Sequence, residues 1–161
     1  MQFAKSTDYA LHALVHLAKS EREYKIGIKE LSTMLDVSES YLSKIMTQLR
    51  KDGLVRAVPG VKGGYELSRP ANQITFLDVI LSTEGRQEMF NCSNSESRQH
   101  TVLTDENNSQ LIDKEEGHGV CRIKEVMDNA ESAFHQYLEN NSIQSILDKA
   151  NIDCNQHINK E

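Results

Sequence analysis

The segment between Ile28 and Leu67 constrains the fold of this sequence more than any other. Ile28–Asp36 carries an apolar stripe through Ile28, Leu31, Met34 and Leu35 at helical spacing. Glu39–Lys51 carries a second stripe through Tyr41, Leu42, Ile45, Met46 and Leu49. Only Val37-Ser38 separates them, and Ser38 is a good N-cap because its hydroxyl accepts from a first-turn amide that has no helical partner. Gly53 stands at the C′ position, where positive φ ends a helix. Leu54–Val58 reads as a strand, Pro59-Gly60-Val61-Lys62-Gly63-Gly64 as a turn and Tyr65–Leu67 as the returning strand. Two short helices across a tight turn, followed at once by a hairpin with a lysine near its tip, predict a winged helix-turn-helix. A plain hairpin in a small α+β domain is the alternative, and the order of the elements argues against it.

The remaining chain adds helices. Residues 7–19 place Tyr9, Ala10, Leu11, Ala13, Leu14, Leu17 and Ala18 on one face, with Thr7 as the expected N-cap. Pro70 starts a linker, and Thr75 caps a short helix over Phe76–Leu81. From Asn91 to Gly119 the residues are mostly Ser, Asn, Gln, Asp and Glu, a length uncommon for a structureless loop, which is either mobile or ordered by what it binds. Ile123, Val126, Met127, Ala130, Phe134, Tyr137 and Leu138 then form a long amphipathic stripe. Little apolar sequence is left to cover that stripe, so a two-fold contact with a second copy is the economical way to bury it. Ser142 caps a last helix through Ile143, Ile146 and Leu147, and a frayed tail is expected from Asn151. The expected fold is therefore mainly α with a small β-wing. Its parts are a head over 1–70, a linker and short helix over 71–90, a loop over 91–120, a dimerisation helix and C-terminal helix over 121–150, and a tail over 151–161.

Charge narrows the function. The net charge is -6, yet residues 1–69 hold 11 Lys/Arg against 8 Asp/Glu while residues 70–161 hold 7 against 16. A local basic patch, not the overall balance, is what phosphate contact requires. Lys44, Arg50, Lys51, Arg56, Lys62 and Arg69 crowd into 40–69 against only Asp52 and Glu66. No stretch approaches the ~20 apolar residues of a membrane span, and the N-terminus lacks the features of a signal peptide. Three cysteines make no disulfide framework, which leaves the cytoplasm as the default compartment. No Gly-rich phosphate loop, nucleophile elbow or His-Glu-x-x-His pattern points to an enzyme. A protein-interaction adaptor built on the same fold is the other competing class.

The stretches Ser6–Leu11, Glu30-Leu31, Val37-Ser38, Tyr41-Leu42, Leu49–Lys51, Gly53–Val55 and Gly60 with Gly63–Leu67 resemble the Rrf-two (Rrf2) family of bacterial transcriptional regulators. The resemblance runs from residue 1 to about 92 and resumes from Cys121 to Leu147. It implies a homodimeric winged-helix protein that binds double-stranded promoter DNA. Many members carry Arg just before the first wing glycine; Pro59 stands there in this chain, which leaves Lys62 as the candidate at the wing.

Residues near the start of a recognition helix reach base edges, while basic groups and hydroxyls fix phosphates. Ser38, Glu39, Ser40 and Ser43 are thus assigned to the groove side, Tyr41, Lys44 and Lys62 to phosphate contact, and Arg50, Lys51 and Arg56 to the same basic patch. Tyr41 fits core packing equally well. For a sensor, cluster-binding relatives usually hold three cysteines in a short loop, whereas Cys92 and Cys121 have no third cysteine between them. Asp8 and His12, spaced i and i+4, project from one face of the first helix. In cluster-binding members a residue of this helix completes the site across the dimer. The resemblance then implies a [2Fe–2S] cluster on Asp8, His12, Cys92 and Cys121, with His118 a competing ligand and Cys154 outside the site. A reversible cysteine switch without a cluster is the alternative. A zinc site from Cys92, His100, His118 and Cys121 matches no common finger spacing.

Overall fold

The computed structural model describes residues 2–20, 24–86, 88–93 and 121–158, and in 151–158 the backbone alone. The elements in chain order are α1 (Lys5–Lys19), α2 (Ile28–Met34), α3 (Glu39–Lys51), β1 (Val55–Val58), β2 (Gly64–Leu67), a 3-10 turn (Ala71–Gln73), α4 (Phe76–Glu84), α5 (Arg122–Glu139) and α6 (Ile143–Ile158). The class is mainly α with one two-stranded antiparallel sheet. The chain divides into two compact units, Met1–Arg86 with Tyr137–Glu161, and Gln87–Gln136.

In the first unit α1 packs against α3, α4, α6 and β2. Its buried face is Ala10, Ala13, Leu14 and Leu17, where two alanines permit close helix approach. Leu42, Ile45, Met46 and Leu49 of α3 close the core from one side, and Ile74, Val79 and Ile143 from the other. Each fully buried leucine contributes roughly 1.5–3 kcal/mol.

Thr7 does not cap α1. The helix begins at Lys5 after Ala4, and Thr7 is buried with its hydroxyl donating to Glu84 and lying 2.8 Å from the Thr83 hydroxyl. The Glu84 carboxylate also accepts the Ala4 amide at 2.8 Å, satisfying the helix start from the end of α4. Periodicity locates a helix but not its first turn, and a buried hydroxyl demands a partner wherever the fold supplies one.

The helix-turn-helix forms as the sequence predicts. The turn between α2 and α3 places Asp36 at φ +49, a left-handed position that Asp tolerates better than most residues. Ser38 caps α3 by accepting the Tyr41 amide, and Gly53 follows the helix at φ +69. The wing pairs Val55 with Leu67, Arg56 with Glu66, Ala57 with Tyr65 and Val58 with Gly64. Ile26 and Tyr65 exchange both backbone hydrogen bonds, so the segment before α2 pins the returning strand.

Thr75 caps α4 in a reciprocal capping box with Asp78. α4 continues to Glu84, beyond the expected end at Leu81. Ser142 accepts the Ser145 amide at 3.3 Å as the predicted cap of α6. α6 runs on to Ile158, past Asn151 where the sequence suggests a tail. In the second unit the Met89 amide donates to Glu131 at 3.1 Å. None of the described residues of α5 is buried.

Candidate nucleic-acid interface and thiol pair

With Leu42, Ile45, Met46 and Leu49 turned inward, the opposite face of α3 presents Glu39, Ser40, Lys44, Thr47, Arg50 and Lys51 to solvent. Ser38 is exposed at its N-terminus, 3.5 Å hydroxyl to hydroxyl from Ser40. Ser43 is half-buried, and its carbonyl accepts the Thr47 hydroxyl at 2.7 Å. Tyr41 takes part in packing without being fully covered. Its ring packs edge-on against Tyr9 of α1, centroids 5.9 Å apart and planes at 84°, yet it stays 36% exposed.

The basic residues fall into two groups. Arg56 bonds Glu66 across the wing, and Lys25 also pairs with Glu66. Those contacts, with Lys25 the stronger influence, hold the Glu66 carboxyl below its ordinary range despite its partial burial. Arg69 pairs with Asp78 at 2.7 Å. Lys44, Arg50, Lys51 and Lys62 are exposed and make no ion pair among the described residues. Four uncommitted cations on the helix and wing are an electrostatic footprint suited to a phosphate backbone.

The sulfurs form the second feature. Cys121 is buried immediately before α5, and the Lys124 and Ile123 amides of the first turn donate to it. The Cys92 side chain lies near enough to Cys121 to influence its thiol, so the two cysteines are brought close within one unit. The Lys124 amide first, then Ile123 and Cys92, hold the Cys121 thiol below its ordinary value against the opposing effect of burial. Amides at a helix N-terminus favour a thiolate in this way. The sequence signal for this placement, a cysteine directly preceding a long amphipathic stripe, carries more meaning than the spacing of the cysteines alone.

Asp8 and His12 meet on α1, both exposed. The His12 Nδ1 lies 2.9 Å from the Asp8 carbonyl oxygen and 3.1 Å from its carboxylate. Nε2 has no hydrogen-bond partner among the described residues. Among the described residues, no three of His, Cys, Asp and Glu gather into a metal-binding group. His100 and His118 lie outside the described residues, as does most of the polar segment, and the Cys154 side chain is likewise not described.

The family profile for Rrf2, "Iron-dependent Transcriptional regulator", matches residues 3–149. The chain belongs to the Rrf2 family. A curated relative, the HTH-type transcriptional regulator NsrR of Halalkalibacterium halodurans, is 28% identical over 147 residues, covering 91% of this chain and 90% of the relative. Among solved structures, CymR, the global cysteine regulator of B. subtilis, superposes with a TM-score of 0.68 at 21% identity, over 91% of this chain and 95% of that one. T. potens IscR superposes at 0.65 and 23% identity, over 93% and 88%. The Rrf2 fold is thus shared along nearly the whole chain, and the function is transcriptional regulation through DNA, not enzymatic catalysis. No helix among the described residues is long and apolar enough to cross a membrane.

Proposed function

We propose that this Rrf2 regulator acts as a homodimer on promoter DNA and reads redox, iron–sulfur or nitrosative status through a [2Fe–2S] cluster. Cys92 and Cys121 of one copy and Asp8 and His12 of the other are its ligands in this reading. The closeness of Cys92 and Cys121 within one unit, at the start of α5, is the observation that carries it. Two thiols brought close supply half of a four-ligand site, and no described residue of the same unit joins them. Asp8 and His12 supply the remaining donor types: the Asp8 carbonyl oxygen holds Nδ1 of His12, an outer-shell bond of the kind that orients a metal-binding histidine, which leaves the Asp8 carboxylate and Nε2 as donors. When bound, a cluster with nitrogen on one iron supplies a redox centre of higher potential than four thiolates give. The uncovered apolar residues of α5, among them Ile123 and Val126, support the second copy.

The chain's own residues connect this site to DNA. Asp8 and His12 lie on α1, which packs directly on α3. Cys121 precedes α5, the helix assigned to the dimer contact. A link between the two sets of ligands ties the DNA-reading helix of one copy to the dimer helix of the other, and its loss shifts the population of the DNA-competent spacing. In this reading Ser38, Glu39, Ser40 and Ser43 face base edges, and Lys44 and Lys62 hold phosphates.

Anaerobic purification followed by absorbance, iron and sulfide analysis tests the cluster. The expected result is a coloured protein with equal iron and sulfide, lost in Cys92→Ser, Cys121→Ser and His12→Ala and retained in Cys154→Ser. A colourless, iron-free protein that still shifts promoter fragments contradicts it. The same closeness favours one second reading, a reversible Cys92–Cys121 disulfide. In that case the iron-free protein loses two titratable thiols on mild oxidation. A protein that shifts no genomic fragment at all would instead support the adaptor.

A further inference from the structure

The wing tip has a composition that phosphate contact does not explain. Between Pro59 and Tyr65 only Val61 and Lys62 carry side chains; the other positions are Gly60, Gly63 and Gly64. Val61 is the most exposed large apolar residue described, at 108% relative exposure. Isolated apolar residues on a surface are ordinary, but this one is presented by a turn built to hold it out. Gly60 sits at φ +113, and Gly63 donates to the Gly60 carbonyl at 2.9 Å. A Cβ on Gly63 would stand 2.2 Å from the Val58 carbonyl oxygen and 2.8 Å from that of Gly60. No other residue type closes this turn without moving backbone.

The glycines also strip the tip of width, leaving a blade of bare backbone with one isopropyl group and one ammonium at its end. The minor groove of duplex DNA is about 6 Å across, too narrow for most protein elements, while the major groove admits a helix. β1 starts after the three residues that follow α3, and its four residues at about 3.3 Å each span roughly 13 Å toward the tip. That reach matches the ~12 Å width of the major groove, so with α3 in that groove the tip arrives at its edge, where the minor groove begins.

We infer that Val61 is a specificity-determining residue that reads the flanking minor groove by exclusion. On the groove floor A·T and T·A pairs show only acceptors, whereas G·C adds the projecting guanine amino group. A valine methyl gives that donor neither a partner nor room, so G·C is rejected. Lys62, beside it, is drawn to the stronger negative potential of a narrow A·T-rich groove. The inference rests on the DNA-binding assignment of the head and is independent of any cluster.

The test is selection from a pool of duplexes with a randomised central segment, using the full chain purified anaerobically, alongside Val61→Ser and Lys62→Ala. The wild-type protein should enrich a half-site flanked by steps at which A·T is favoured over G·C by about tenfold. Val61→Ser, whose hydroxyl accepts from the guanine amino group, should keep the half-site and bring the flanks within about twofold of parity. Lys62→Ala should weaken binding to every sequence and lower the flank preference only in part, leaving A·T favoured over G·C. An unchanged flank profile in Val61→Ser, or a flat flank in the wild type beside a clear half-site, overturns the inference alone. A pool with no enriched half-site refutes the DNA-binding assignment and this inference with it.

Discussion

The division of the basic residues into free and committed cations makes a quantitative prediction about salt. Each phosphate neutralised on B-DNA contributes about 0.9 to the slope of log K against log salt. Lys44, Arg50, Lys51 and Lys62 are uncommitted, so one head supplies up to about 3.6 and a pair of heads about 7. From about 50 to about 200 mM salt, such a dimer loses affinity by roughly four powers of ten. Lys44→Ala removes one contact per head, flattening the slope by about 1.8 and reducing that loss by about tenfold. Arg56→Ala should leave the slope within about 0.5 of wild type, because its guanidinium is held across the wing by Glu66. Fluorescence anisotropy of a selected duplex across the salt series reads both variants. A Lys44→Ala slope equal to wild type removes Lys44 from the phosphate contacts. An Arg56→Ala slope reduced as far as that of Lys44→Ala refutes the argument that ion pairing decides which cations contact DNA.

Two further outcomes concern the scaffold. Thr7→Val deprives Thr83 and Glu84 of a buried partner and should cost about 1–2 kcal/mol, read by thermal unfolding as a fall of several degrees. Glu66, with its carboxyl held low chiefly by Lys25, stabilises the fold above the ordinary glutamate range and loses that contribution as pH falls toward its depressed value. The wild type should therefore lose about 1 kcal/mol more than Glu66→Gln on acidification through that window; parallel stability curves for the two proteins would contradict the assignment.

The parts of this molecule that were legible in its sequence are those fixed by near neighbours. The stripe of α3, its Ser38 cap, the Gly53 stop and the wing hairpin each follow from residues within a few positions of one another. Family resemblance supplied their joint meaning. Partnerships between distant segments were not legible. Thr7 meets Glu84, Tyr41 meets Tyr9, and Glu66 draws in Lys25 from before α2. Nothing local encodes such pairs, and a buried hydroxyl or a surface carboxylate takes whichever partner the packing brings. The same holds at the candidate site. The i, i+4 spacing of Asp8 and His12 placed them on one face but did not reveal that Asp8 would occupy Nδ1 of His12. The presentation of Val61 is not encoded locally, because a valine in a turn carries no charge signal and only the glycine-enforced backbone around it holds it out.

Native mass spectrometry of the anaerobically purified chain with a selected duplex tests the central claim most directly, since it weighs subunits, DNA and bound inorganic atoms together. The expected species holds two chains on one duplex, with a mass increment matching iron and sulfide that disappears in Cys92→Ser. A single chain per duplex, with no increment over the polypeptide and DNA, would contradict it.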